Sequence, residues 1–306
     1  MDQIKKTLLK EIANLESVPQ GAFNIRVNGK SEKRNSTKDI SIISHREKDG
    51  IEIRVKDGVK NQSVHIPVIL SQAGLKEVVF NDFYIGDNCD VLIVAGCGIH
   101  CGKGEEVSEH SGVHTFHIGK NSKVRYVEKH LGIGEFKAKK VMSPTTKLYL
   151  EKNSSFTMET TQIKGIDLSE RETFAELEDN AKLVVKESVS TNLKQVCNSF
   201  FEVLLKGKNS SVHLTSRSVA TDNSKMKFAS RVIGKNECFG HVECDAIIQD
   251  GAEVISIPEI QAIHADANLV HEAVIGKLAP EQVMKLMTLG LTEEEAVNVI
   301  IQGFLN

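Results

Sequence analysis

From about residue 80 onward the chain repeats a short text. A polar pair containing Asn or Gly comes first, then a run of alternating apolar residues. Gly86-Asp87-Asn88 precedes Val91-Leu92-Ile93-Val94, and Lys120-Asn121 precedes Val124-Arg125-Tyr126-Val127. Lys152-Asn153, Asp179-Asn180, Lys208-Asn209 and Lys235-Asn236 each stand before another such run, and Asp250-Gly251 before Val254-Ile255-Ser256-Ile257 closes the series. The turn asparagines at 88, 121, 153, 180, 209 and 236 are spaced by 33, 32, 27, 29 and 27 residues. Asn and Gly tolerate left-handed backbone angles, so each pair turns the chain sharply. The strand that follows has one face for a core and one for solvent. Stacked coils, each burying its face on the next, are the architecture that such a period demands. Residues 60–270 are therefore expected to form a β-solenoid, most simply a parallel β-helix. An antiparallel sandwich would not require near-constant spacing, and no hexapeptide pattern of left-handed acyltransferase solenoids is visible.

The flanks differ. Ile4, Leu8, Ile12 and Leu15, with Leu9 beside them, share one helical face, and Val18-Pro19 is expected to end that helix. A charged stretch over 28–50 and the alternating Ile51-Glu52-Ile53-Arg54-Val55 complete an N-terminal segment over 1–59. At the other end, Pro280 suits a first helical turn, Gly290 a helix stop, and Thr292-Glu293-Glu294-Glu295 a capping box. Residues 271–306 thus read as a helical segment. Helices this short are marginal alone and must pack on something, either the solenoid end or a partner.

The 38 basic and 41 acidic residues give a net charge of −3, which excludes a generally basic nucleic-acid surface. No run of about 18 apolar residues occurs, so no membrane span is expected. Six Cys without a secretory signal suggest reduced thiols in a cytoplasm. P-loop, GxSxG, HExxH and dinucleotide motifs are absent, so no catalytic activity is expected. What remains is a set of soft and borderline ligands: Cys97, His100, Cys101, His110, His114 and His117 early, then Cys244, His264, His271 and Glu272 late. Thiolates and imidazoles suit iron–sulfur or zinc sites. The Gly-rich stretch from Gly96 to Gly102 is expected at an exposed turn, where Cys97 could be reached. His114 and His117 are expected on opposite faces of a strand.

Toward the C-terminus the text resembles a known family. Cys244-Asp245-Ala246-Ile247-Ile248, Ile263-His264-Ala265, Val270-His271-Glu272-Ala273 and Leu289-Gly290-Leu291-Thr292-Glu293-Glu294-Glu295-Ala296 are similar to the end of SufB/SufD proteins, the scaffolds of the SUF iron–sulfur assembly system. Gly96-Cys97, His110 and the stretch from Lys120 to Tyr126 extend the likeness, which covers roughly residues 60–306. The resemblance implies a right-handed parallel β-helix between helical segments, in a minimal, undivided form. It also implies a homodimer paired through the β-helix and C-terminal helices that dock a SufC-like ABC-type ATPase. ATP would act only through that partner, on a transient iron–sulfur cluster built from separate iron and sulfur donors. By position, Cys244, His271 and Glu272 become the cluster- or metal-binding residues, and Cys97 the possible sulfur acceptor. Val270 stands where SufB commonly has another Glu. Two rival readings remain: a zinc-dependent enzyme using Cys97, His100, Cys101 and His114, and a regulator of the ATPase that binds no cluster.

Overall fold

The computed structural model describes residues 3–15, 17–100, 106–134, 138–162 and 165–305. The chain begins with α1 (Gln3–Ala13), then β1 (Ala22–Val27), β2 (Lys30–Asn35), β3 (Ile40–Ser44), β4 (Gly50–Val55) and β5 (Lys60–Leu70). It continues through β6 (Lys76–Ile85), β7 (Asp90–His100), β8 (Ser108–Ile118), β9 (Lys123–Ile133), β10 (Lys140–Met142) and β11 (Thr145–Leu150). Next come β12 (Ser155–Gln162), β13 (Leu168–Leu177), β14 (Lys182–Thr191), β15 (Val196–Leu205), β16 (Ser210–Ala220) and β17 (Lys225–Gly234). β18 (Cys238–Ile248), β19 (Glu253–Ala262), β20 (Ala267–Gly276), α2 (Pro280–Met287) and α3 (Glu293–Leu305) complete it.

From β4 to β20 the chain alternates between two sheets, with β10 and β11 together in one of them. One runs β2-β1-β5-β7-β9-β12-β14-β16-β18-β20, and the other β19-β17-β15-β13-β10-β8-β6-β4-β3, with β11 continuing the path of β10 between β8 and β13. From β5 onward every pairing is parallel, which makes a parallel β-helix of about seven turns. The expectation of a mainly β solenoid with short terminal helices holds.

The repeat works as its spacing suggests. Asn88, Asn121, Asn153, Asn180 and Asn209 all have φ near +55°. Their side-chain amides form a ladder along the corner, each Nδ2 donating to the Oδ1 one coil earlier at 3.0–3.3 Å. Asn236 departs from the series. It is not left-handed, and its amide donates instead to the Lys206 carbonyl at 3.5 Å. A second corner is marked by Leu193, Asp222 and Asp250, also left-handed; the Asn spacing does not announce it, and Asp250-Gly251, expected to close the first series, belongs to this corner instead. Between corners, inward positions alternate with outward ones. The interior stacks Phe83 on Phe116 at 4.2 Å between centroids, with Tyr126 and Phe156 edge-on to Phe116.

The ends are unlike each other. At the N-terminal end the hairpins β1–β2 and β3–β4 are antiparallel, and the outermost strand β2 is charged and exposed, which blunts that edge. α1 lies against the outer face of β5, β7 and β9, burying Leu8, Leu9 and Ile12 with Ile25, Ile69 and Leu131. The side chain of Ile4 is outside the described residues. α1 stops before Val18-Pro19, because Asn14 turns left-handed at φ 53° and Leu15 N–H reaches back to the Leu9 carbonyl. At the C-terminal end α2 starts on Pro280, and Thr292 and Glu295 cap α3 reciprocally. No helix is long and apolar enough to cross a membrane among the described residues.

Candidate functional site

β18 and β20 pair so that Cys244 meets Ala273, Val242 meets His271 and Glu243 meets Glu272. The strand period then sorts the three expected site residues. Cys244 and His271 face the interior, diagonal neighbours on adjacent coils, and Glu272 faces out. Cys244 is 1% exposed. Burial pushes its thiol above the usual range, the nearby Ser256 hydroxyl opposes that, and the Glu187 and Asp245 carboxylates add to it. Burial, then the nearby His241, lowers the His271 pKa, so the imidazole is held neutral, and its Nδ1 has no hydrogen-bond partner. Glu272, with a side chain 66% exposed, lies 3.5 Å from His241 Nε2 on the outer surface.

These residues sit beside an uncapped end. Pro258, Ile260 and Ala262 of β19, and Ala273 and Ile275 of β20, continue inward columns yet are exposed, Ile260 at 47%. On the outer face Ile255, Ile257 and Val274 are exposed as well, Val274 at 68%. The last coil therefore has the composition of a core and the environment of a surface.

Behind Cys244 runs a polar column that sequence reasoning missed. Register partners on successive strands are Glu128, Thr160, Glu187, Ser216 and Cys244, all pointing inward. Arg171, from the opposite sheet, pairs with Glu128 at 2.8 Å and lies 3.9 Å from Glu187. Tyr126 donates its hydroxyl to Glu128 at 3.0 Å, and Ser199 and Ser216 donate to Glu187 at 2.7 and 2.8 Å. Burial pushes the Glu128 carboxyl up, but Arg171 and His130 outweigh it and hold the group well below the carboxylate range. Arg171 can only donate, so its 3.4 Å contact to His130 Nδ1 assigns the proton to Nε2, which faces Glu128 at 3.3 Å. A signal was present in phase alone: Glu128 shares strand parity with the inward Val124 and Tyr126, as Arg171 does with Ser169 and Thr173.

The early cluster differs from expectation. The Gly96–His100 stretch is the end of β7 and not an exposed turn. Cys97 is 2% exposed and points inward, while Gly96 and Gly98 make room for α1 on the other side. It lines a cavity of about 10 Å³ with His110, His114, Glu128 and His130, room for roughly one water. Burial raises the Cys97 thiol well above its ordinary value, with Glu77 and Glu128 reinforcing the shift. Burial also lowers His114 to about 4. His110 is held by Glu77, which Arg26 grips from the other side, each contact at 2.9 Å.

Residues 82–304 match the SufBD core domain of the SUF system for iron–sulfur cluster assembly. The chain belongs to the SufBD family. An iron–sulfur cluster assembly SufBD family protein of Pyrococcus horikoshii is 30% identical over 286 residues, covering 89% of this chain and 82% of that one. A Methanocaldococcus jannaschii relative described in the same words is 28% identical over 276 residues, covering 86% and 84%. A third, from Methanothermobacter thermautotrophicus, is 26% identical over 268 residues, which are 85% of this chain but 63% of its own length. The chain thus spans under two thirds of that longer relative.

SufBD membership supports a role in iron–sulfur cluster assembly. The residues of the zinc reading come together only in part in this SufBD chain: Cys97 and His114 line the small interior cavity, and His100 does not. Cys97 faces in and His100, an odd number of positions on, faces out, while His114 lies on the other sheet. Cys101 lies outside the described residues. Among the described residues no group of three or more His, Cys, Asp or Glu is arranged to hold a metal ion.

Proposed function

We propose that this chain is a scaffold subunit for iron–sulfur cluster assembly. It pairs with a second copy through the uncapped end of its β-helix and works with a SufC-like ABC-type ATPase in the cytoplasm. The observation that carries this reading is the placement of Cys244 and His271 in the last coils, beside the bare apolar end. An open solenoid edge with exposed Ile260, Ile275 and Val274 is stable in water only when covered. A two-fold partner covers it with the same surface. The charged edge strand β2 at the opposite end argues for one pairing face.

Iron and sulfide are the cargo. In this reading iron displaces the Cys244 proton, which leaves to solvent, and the iron–thiolate bond supplies the stabilisation that burial denies the free thiolate. A neutral His271 offers a lone pair without first releasing a proton. Glu272 lies on the outer face, where it would serve iron arriving from solvent or the junction with the second subunit. Cys97 would receive sulfur from a donor only after its thiol ionises, which its present surroundings oppose. The chain itself catalyses no turnover. The ATPase would dock on α2, α3 and the turn between them, where Met284, Met287, Leu289 and Val299 are exposed.

Anaerobic reconstitution with the ATPase tests this, reading iron and sulfide per chain alongside mass in solution. Wild type should load cluster as a dimer. Cys244→Ser and His271→Ala should lose most of it, and Val274→Lys should yield monomers. A normal cluster content in Cys244→Ser rejects the site, and no chromophore in wild type favours the regulator.

A further inference from the structure

Leu193 is held in a conformation that a leucine avoids. It turns the second corner at φ 56°, with its side chain 64% exposed. Left-handed angles crowd a Cβ against the backbone, and a bulky side chain brings no local hydrogen bond to offset the crowding. The next two coils make the same turn with Asp222 and Asp250. Their carboxylates accept the backbone N–H one coil earlier, from Leu193 at 2.7 Å and from Asp222 at 3.4 Å. Leu193 thus combines strain with exposed apolar surface, where a short polar residue would carry neither.

Beside it lies a groove of about 750 Å³. Its floor is Val141, Leu168 and Val196, register partners on β10, β13 and β15 that all face outward and are half-buried. The acids of the groove are engaged within the chain. Asp167 accepts the Lys140 backbone N–H at 2.7 Å and lies 3.6 Å from its ammonium, and Asp222 accepts from Leu193. Lys139 and Lys194 stand exposed on the rim, with no ion-pair partner among the described residues. The charge left free to meet a partner is positive.

Strand pairing decides the shape of the occupant. β10, β13 and β15 are each bonded on both sides, so no edge is free to take a peptide strand. A helix in the groove is the mode that remains. Two rungs of the floor span about 10 Å, and so do positions i and i+7 of an α-helix.

We infer that this corner docks an amphipathic helix of a partner protein. The helix lays its apolar stripe on Leu193 and the floor of Val141, Leu168 and Val196, and sets its flanking carboxylates against Lys139 and Lys194. Covering Leu193 removes from water the surface that the free chain exposes. The groove includes no residue of β19, β20, α2 or α3, so it is separate from the proposed pairing and ATPase surfaces.

The test uses the intact chain without ATPase or iron, and a fluorescent peptide of about 15 residues, long enough to be helical. The peptide carries Leu at i, i+4 and i+7 with Glu beside them, and anisotropy reads its binding. It should bind below about 100 μM, and a version with Lys in place of Glu at least about tenfold more weakly. Leu193→Asp should weaken the acidic peptide at least about tenfold. The same variant should raise the thermal unfolding midpoint, because Asp suits the left-handed corner. Lys139→Glu combined with Lys194→Glu should reverse the preference between the two peptides. No binding of the acidic peptide overturns the inference, as does equal binding by the basic peptide or by Leu193→Asp. A lower midpoint in Leu193→Asp overturns it too, since Leu193 would then be structural. A drop in solution mass in that variant would make a second copy the occupant and equally overturn it. Iron and sulfide are not read, so failure here is separate from failure of the scaffold reading.

Discussion

Glu128 and Arg171 meet at 2.8 Å inside the β-helix, each side chain less than a tenth exposed. Such a pair is costly to desolvate, and removing one member leaves the other charged and alone. Glu128→Gln is expected to cost about 3–5 kcal/mol of stability. A double replacement by apolar residues of similar volume should recover most of it, measured by denaturant unfolding.

The same interior makes stability depend on pH. His114 stays neutral in the fold down to about 4, whereas the unfolded chain takes up a proton near 6.5. The unfolded state therefore binds more protons in that interval, and stability falls as pH falls, by about 1.4 kcal/mol per unit and about 3 kcal/mol in all. Glu128, held low, contributes stability above the ordinary carboxylate pKa that is lost on further acidification. The unfolding midpoint should drop between pH 7 and pH 5, and His114→Gln should flatten that slope. An equal slope in the variant removes His114 as its source.

Thiol reactivity should follow burial. Burial, with Glu187 adding to it, pushes Cys197 up to about 12. At pH 8 its thiolate is scarce enough that alkylation should run on the order of a thousandfold slower than for free cysteine. Cys97, raised for the same reason, should also be protected, and both should react normally in denaturant. Rapid native labelling of Cys97, followed by mass spectrometry, would mean that the interior opens readily there.

Gly96 is fixed by α1. A Cβ there would come 2.8 Å from the Ile12 carbonyl oxygen and 2.9 Å from that of Lys129, both backbone atoms. Gly96→Ala should cost about 1–3 kcal/mol and expose α1 to protease. At Gly98 the obstacle is the end of the Leu8 side chain, which can move, so Gly98→Ala should cost less.

The period of asparagines and the alternation of apolar residues specify the solenoid because both act locally. A left-handed turn needs a residue that tolerates it, and a strand with one wet face needs parity two. The capping text around Thr292 and the Pro280 start are local in the same way. Parity even carried Glu128 and Arg171 into the core, a signal legible in Val124-Arg125-Tyr126-Val127-Glu128 once each strand's inward phase is known.

Tertiary structure decided how the coils are placed against each other. Coil lengths vary from 27 to 33 residues, so only register aligns Glu128, Thr160, Glu187, Ser216 and Cys244 in one column. The glycines beside Cys97 looked like a turn because a flat strand under a distant helix leaves the same trace in sequence. Separation of Cys244 and His271 from Glu272 across the sheet followed from pairing β18 with β20. Contacts between residues tens of positions apart depend on the whole stack, and no short stretch of sequence contains them.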